Sequence, residues 1–339
     1  GEIRSRWSVP VCGRTDHGCN DKCHRKENQS RKQLVLSRGK EMHNRLKRKK
    51  NIGGQVALHI IFILICICYI VPLMLTVSAA FTSEKALSQG GFSILPKEFS
   101  LNAFKLVFKN PEQILNSYKT TITFSAVSTF LAVLVMGIMA YPLSRPNFVF
   151  RKVITFIVFF TMLFSAGLVP SYMVNTQILH LKNTIWIYIF PGLVSAWNLI
   201  VIRTSYKGLP YELIESAKLD GASEWTICFK IVMPLCKATL ATIGFLFLVG
   251  KWNDWVTSSI YIRNPDLYSL QYLLQKILRE AQILKQMAAT DPSLSTVGLM
   301  PTESLRYAMA VVAGGPMLVV FPFFQKYFAK GMTIGAVKG

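Results

Sequence analysis

Acidic residues are the first shortage in this chain: 17 Asp+Glu stand against 38 Lys+Arg in 339 residues, a formal net charge of +21. No G-x4-G-K-[ST] run occurs, so there is no phosphate loop of that kind and any ATP the protein depends on is bound elsewhere. Histidines are few, and His17, His24, His43, His59 and His180 make no constellation with a nucleophile or metal ligand in any apolar segment. Paired C-x2-C spacing is missing as well. Cys12, Cys19 and Cys23, with His17 and His24, read C-x6-C-x3-C-H, which argues against an ordinary zinc module. Cys66, Cys68, Cys228 and Cys236 lie in or beside apolar runs and read as small buried hydrophobes. No catalytic set emerges.

What the chain has in quantity is apolar sequence. Hydrophobic residues make up 51% of it, which points to the bilayer rather than to a soluble core. Six segments, near 55–80, 119–142, 152–176, 184–203, 237–262 and 304–328, approach the roughly 20 apolar residues a membrane-crossing helix needs. Each is expected to be helical, because lipid offers backbone N–H and C=O groups no partner. The expected fold class is therefore an all-α membrane protein with six transmembrane helices.

Charge sets the expected orientation. Residues 1–54 carry 15 Lys+Arg against 5 Asp+Glu, a basic lead into the first span that fits the positive-inside rule better than a nucleic-acid reading. Arg145, Arg151 and Lys152 separate spans two and three, and Arg203, Lys207, Lys218, Lys230 and Lys237 surround the loop after span four. All share one side with Lys326, Lys330 and Lys338 if both termini are cytoplasmic, with the chain multi-pass in a bacterial plasma membrane. Residues 1–54 form a basic N-terminal segment and 55–339 the working domain. Before Met42, which opens MHNRLKRKK, the segment lacks apolar periodicity and a signal-peptide core. Met42 is expected to be the natural start, with the stretch before it foreign to the working protein or else a disordered basic tail.

Between spans five and six, Leu270, Leu273, Leu274, Ile277, Leu278, Ala281 and Leu284 follow helical spacing, and Asp291-Pro292 marks a turn after them. That helix reads as a cap over the bundle or as a docking surface. Leu101–Phe108 carries one or two amphipathic turns. Pro142 and Pro146 are expected to stop the second span, and Pro316 and Pro322 to kink the sixth.

The charged insert at about 207–235 carries the sharpest signal. Pro210 suits a first helical turn, residues 210–218 make a short helix with Leu213, Ile214 and Ala217 sharing one side, and Asp220-Gly221 breaks it. A second helix puts Trp225, Phe229 and Val232 on one stripe, and Pro234 leads into span five. The spacing Glu215-Ser216-Ala217, Gly221, Ile231, Met233, Pro234 resembles E-A-A-x3-G-x9-I-x-L-P, the cytoplasmic-loop motif of ABC importer permeases. Ser216 for Ala and Met233 for Leu are the departures. The resemblance, which extends over 55–339, implies a type I ABC importer permease fold with a cytoplasmic coupling helix seated on an ATPase, and Glu215, Ser216, Ala217, Asp220, Gly221 and Ala222 as coupling residues. It also implies a second permease subunit, two ATPase subunits and an extracytoplasmic solute-binding protein. ATP and Mg2+ would be bound by the ATPase, with no cofactor on this chain and no enzymatic activity of its own. A-Y-x-L-S-R at 140–145, the outer loop and the terminal KGMTIGAVKG are similar to the sugar-importing branch, the LplC/YtcP-like oligosaccharide permeases.

In span five, GKWNDW (250–255) places Lys251 and Asp254 in expensive surroundings. Trp252 and Trp255 are faces of the sort that stack on sugars, and Asn253 and Asp254 are able to bond hydroxyls. A polar contact between helices explains the same residues. Asn198, Tyr172 and Asn175 are further pathway candidates. Rival readings are the same architecture carrying a non-sugar solute, and a membrane-embedded enzyme or scaffold.

Overall fold

A computed structural model of the chain describes residues 52–290 and 302–336. The described residues fall in two compact units divided after Ile70. The N-terminal cysteine–histidine cluster, the choice of Met42 as a start, the Asp291-Pro292 turn and the last three residues lie outside the described residues. Among the described residues there is no β-strand, only an isolated antiparallel bridge between Thr82 and Phe99.

The first unit contributes residues 52–70 of helix α1 (Ile52–Ala80). Its 29 residues rise about 43 Å, enough to span a hydrocarbon core of roughly 30 Å. Cys66 and Cys68 are exposed, against the expectation of burial, because this helix is apolar on every face.

In the second unit two small helices follow, α2 (Glu84–Gly90) and α3 (Asn102–Val107). Helix α4 (Pro111–Ser144) starts on a Pro at its first position, eight residues before the expected boundary. Pro142 does not stop it but sits in its last turn. The stop comes from Pro146, which forces Arg145 into extended backbone at φ −83° and ψ 137°. Ser117, Thr121, Ser125, Ser128, Ala132 and Ala140 are buried along this helix, a small-residue seam that lets neighbours approach closely.

Three expected spans are not single helices. The segment at 152–176 is α5 (Arg151–Leu163) and α6 (Leu168–Ile178), bent by 114° around Gly167, whose φ of +83° suits only glycine. The segment at 184–203 is a single turn, α7 (Trp186–Ile189), then Pro191-Gly192, then α8 (Ala196–Lys207). The segment at 237–262 is α11 (Lys237–Trp252) and α12 (Val256–Tyr261), parted at Asn253-Asp254-Trp255. Before α11 come α9 (Glu212–Leu219) and α10 (Glu224–Leu235), the latter with a π-helical stretch at Ile227–Val232 and a 78° bend into α11. By length and composition, three described helices reach membrane-crossing size, Gly54–Ala80, Pro111–Ser144 and Thr302–Gln325, or up to five if each bent pair is one span. Six helical spans were expected. Gly167 and Pro191-Gly192 break two of them inside apolar runs, and the polar Asn253-Asp254 breaks a third.

The expected amphipathic helix is α13 (Leu270–Thr290). Leu270, Leu273, Leu274 and Ala281 are buried on its inner face, while Leu284 falls outside the buried set. The last helix, α14 (Thr302–Ala336), is held at both ends of its first half. Pro316 has no N–H to give the Val312 carbonyl, and Tyr118 Oη donates to that carbonyl at 2.7 Å instead. At its start, Glu84 accepts from the Glu303 and Ser304 amides at 3.1 and 2.9 Å and from the Ser304 hydroxyl at 3.0 Å. Lys285 lies 3.6 Å away. Burial alone would raise this carboxyl; the Ser304 and Glu303 bonds and the Lys285 charge outweigh it and hold Glu84 below its ordinary value.

Candidate functional site

Helices α9 and α10 form a bent knob whose shape follows from one glycine. Gly221 has φ +78°. Its N–H donates to the Lys218 carbonyl at 3.0 Å, and the Ala222 N–H reaches the Ala217 carbonyl at 3.0 Å. These are the paired bonds of a Schellman turn, with Asp220 as the C-cap and glycine in the left-handed position. Ser223 then caps α10, its Oγ accepting from the Thr226 N–H at 3.3 Å.

Ile214, Ala217, Ile227, Cys228 and Val232 seat the knob in a core shared with Met136, Ala140, Ile202 and Tyr206. Leu213 is not on that side; it is exposed, about 100° around the helix from Ile214. The expected second stripe divides too, since Trp225 and Phe229 stack outside at 6.0 Å while Val232 is buried. Glu215, Ser216, Asp220 and Gly221 are on the surface, Ala217 is buried and Ala222 half-buried. Leu219 is 89% exposed and Trp225 62%, so the tip offers apolar surface that none of the described residues covers.

One carboxylate locks the knob to the bundle. Glu224 accepts from Tyr141 Oη at 2.5 Å and pairs with Lys218 Nζ at 2.6 Å. The Arg145 guanidinium lies 4.6 Å from the Tyr141 ring centre. Sequence reasoning passed over Glu224, because its partner on α4 lies 83 residues earlier. Tyr141 within A-Y-x-L-S-R was the available signal.

The polar cluster of span five is largely consumed within the protein. Trp252 is 5% exposed and its indole N–H donates to the Ala313 carbonyl at 3.0 Å. Asp254 holds the first turn of α12, accepting from the Thr257 N–H at 3.0 Å and its hydroxyl at 2.7 Å. Lys251 Nζ donates to the Tyr188 and Pro191 carbonyls at 2.6 and 3.3 Å, satisfying the break after α7. Below it, Tyr188, Ser258 and Ser269 make a buried chain of hydroxyls, with Tyr188 stacked on Phe124 at 4.3 Å. Tyr172 stacks on Tyr261 at 5.5 Å, and Asn175 donates to the Tyr261 hydroxyl. Asn198 is half-buried on α8, away from this group in sequence and element. Asn253 is exposed and accepts from Gln271 at 3.3 Å. Trp255 keeps an open face: with Tyr272, Gln275, Lys276, Arg279, Glu280 and Ile283 it lines a cleft of about 260 Å³.

Residues 121–334 match the family described as "Binding-protein-dependent transport system inner membrane component". Among curated proteins, the chain is 38% identical to protein LplC of Bacillus subtilis (strain 168) over 270 residues, 80% of this chain and 90% of that protein. It is 36% identical to the polygalacturonan/rhamnogalacturonan transport system permease protein YtcP of the same organism, over 83% of this chain and 95% of that one. Among solved structures, a chain of a bacterial ABC transporter involved in the import of the acidic polysaccharide alginate superposes with a TM-score of 0.68. Its identity is 26%, and the match covers 83% of this chain and 98% of that one.

Proposed function

This chain belongs to the family of binding-protein-dependent transport system inner membrane components, and we propose that it is a permease subunit of an ATP-driven importer of oligosaccharides. The observation that carries the mechanism is the rigid, uncovered knob at Glu212–Leu219 and its Schellman turn. An ATPase cleft closing over Leu219 and Trp225 buries their apolar surface, and Glu215 supplies a charge for a cation on that partner. Because Ile214 and Ile227 root the knob in the core around Met136, Ile202 and Tyr206, moving it moves α4 and α8 as packed bodies. ATP-driven closure thereby becomes a helix rearrangement around the pathway.

In the assembly we propose, a second permease subunit, two ATPase subunits holding ATP and Mg2+, and an external solute-binding protein complete the importer. This chain binds no cofactor itself. It crosses the membrane six times, with α7 and α8 as a broken fourth crossing and α11 with α12 as a broken fifth, and both termini lie in the cytoplasm. Residues 55–339 form the permease domain. The cargo is an acidic oligosaccharide: relatives carry polygalacturonan, rhamnogalacturonan and alginate in their descriptions, and the cleft at Trp255 holds two cations, Lys276 and Arg279, against the one carboxylate of Glu280.

Glu215→Lys tests the coupling role. It should leave the complex assembled while lowering transport-coupled ATP hydrolysis in proteoliposomes at least tenfold, since opposed like charges at a desolvated contact cost several kcal/mol. Unchanged coupled hydrolysis would refute it. Binding of the purified solute-binding protein to a glycan panel tests the cargo.

A further inference from the structure

Where α4 ends, two nitrogens of one guanidinium find no acceptor among the described residues. The Nε and Nη2 atoms of Arg145 are buried and make no hydrogen bond. The Glu224 carboxylate, which lines the same cleft, is already committed to Tyr141 and Lys218. Two more guanidiniums converge on the same turn: Arg151 donates to the Arg145 carbonyl at 3.4 Å and Arg203 to the Leu143 carbonyl at 2.9 Å. Positive charge here therefore exceeds negative. Buried donors left unpaired cost free energy, and an outside acceptor relieves that cost.

Arg145 opens onto a cleft of about 450 Å³ between the end of α4 and the knob. Its other walls are mostly apolar, with Ile138, Pro142, Phe148 and Trp225 among them, and the paired Lys218 and Glu224 stand on the knob side. Beyond Phe148 the chain surface continues with the exposed Val149, Phe150 and Phe156. The cleft thus sets buried cationic donors at the end of a membrane-crossing helix, next to an open apolar surface. A soluble phosphate would leave the apolar walls bare. A lipid fills both parts.

We propose that this cleft binds one anionic phospholipid of the leaflet on the knob's side, its phosphate on Arg145 and an acyl chain along Ile138, Pro142 and Phe148. The site goes beyond transport itself and rests on the orientation proposed above, which makes this the cytoplasmic leaflet. Its place between α4 and α10 ties lipid occupancy to the seating of the knob.

The test uses the assembled importer, purified in mild detergent and weighed by native mass spectrometry after passage through nanodiscs of phosphatidylcholine with and without phosphatidylglycerol. Co-purification of the ATPase subunit with the wild-type chain checks the transporter reading separately. Wild type should retain phosphatidylglycerol. Arg145→Gln should lower retention about tenfold, the worth of one charge-assisted bond. Phe148→Trp, which narrows the groove and keeps the charge, should lower it as well, so a misfolded Arg145 variant does not decide the outcome. Millimolar inorganic phosphate should fail to displace the lipid. Retention at the wild-type level in either variant overturns the proposal. So does displacement by phosphate alone, which marks a free-anion site, or loss of the ATPase subunit from Arg145→Gln, which assigns the guanidinium to an acidic side chain on that partner.

Discussion

Replacing Gly221 isolates the conformational requirement of the knob from its contacts. A Cβ built at this position meets nothing within 4 Å, so no clash contributes. What remains is φ +78°, where an L-residue costs about 1–2 kcal/mol because its Cβ crowds the following carbonyl. That energy lowers the equilibrium constant for the turned knob roughly 5- to 30-fold. Asn, which enters the left-handed region more readily, should suffer less than Ala, and β-branched Ile should suffer most. Coupled ATP hydrolysis in proteoliposomes should therefore fall in the order Gly, Asn, Ala, Ile, with membrane insertion unchanged. The alternative outcome is a Gly221→Ile variant that hydrolyses ATP as the wild type does, with the ATPase still attached. That would mean the turn geometry is not what the motor grips.

Glu224→Gln should loosen the knob by about 1–3 kcal/mol, since Lys218 and Tyr141 lose a charged acceptor, and hydrogen exchange at α9 should speed up while α13 stays protected. Lys251→Met strands the Tyr188 and Pro191 carbonyls, and the thermal midpoint of the detergent-solubilised complex should drop by several degrees. Glu84 has a folded pKa below its unfolded value near 4.5, so its contribution is fully present above that pH and is lost as pH falls through the folded value. Thermal unfolding of wild type between pH 6 and 3 should show that loss; in Glu84→Gln the acid-sensitive part should shrink, leaving the share of Glu224, which is also held below its ordinary value by Lys218 and Tyr141.

Local signals in the sequence were readable where they ran with the chain. Leu270, Leu273 and Leu274 announced α13, and Asp220-Gly221 announced the turn, because spacing and glycine chemistry act over a few residues. The breaks at Gly167 and at Pro191-Gly192 were hidden inside apolar runs, since hydropathy counts side chains and is blind to backbone angles. Trp252 reads equally as a sugar platform or as a helix contact until the partner is seen, and that partner, Ala313, lies 61 residues on. Glu84 capping the amide of Glu303 spans 219 residues and leaves no local trace.

The anchoring of α14 has a mechanical consequence. Glu84 grips its first turn, and Trp252 and Tyr118 hold the carbonyls just ahead of Pro316. Up to that proline the helix is fastened on three sides to its surroundings, so flexing is confined to the stretch from Pro316 through Pro322 and beyond. The N-terminal half of this rod is then a fixed post, and any swing of the helix belongs to its C-terminal half.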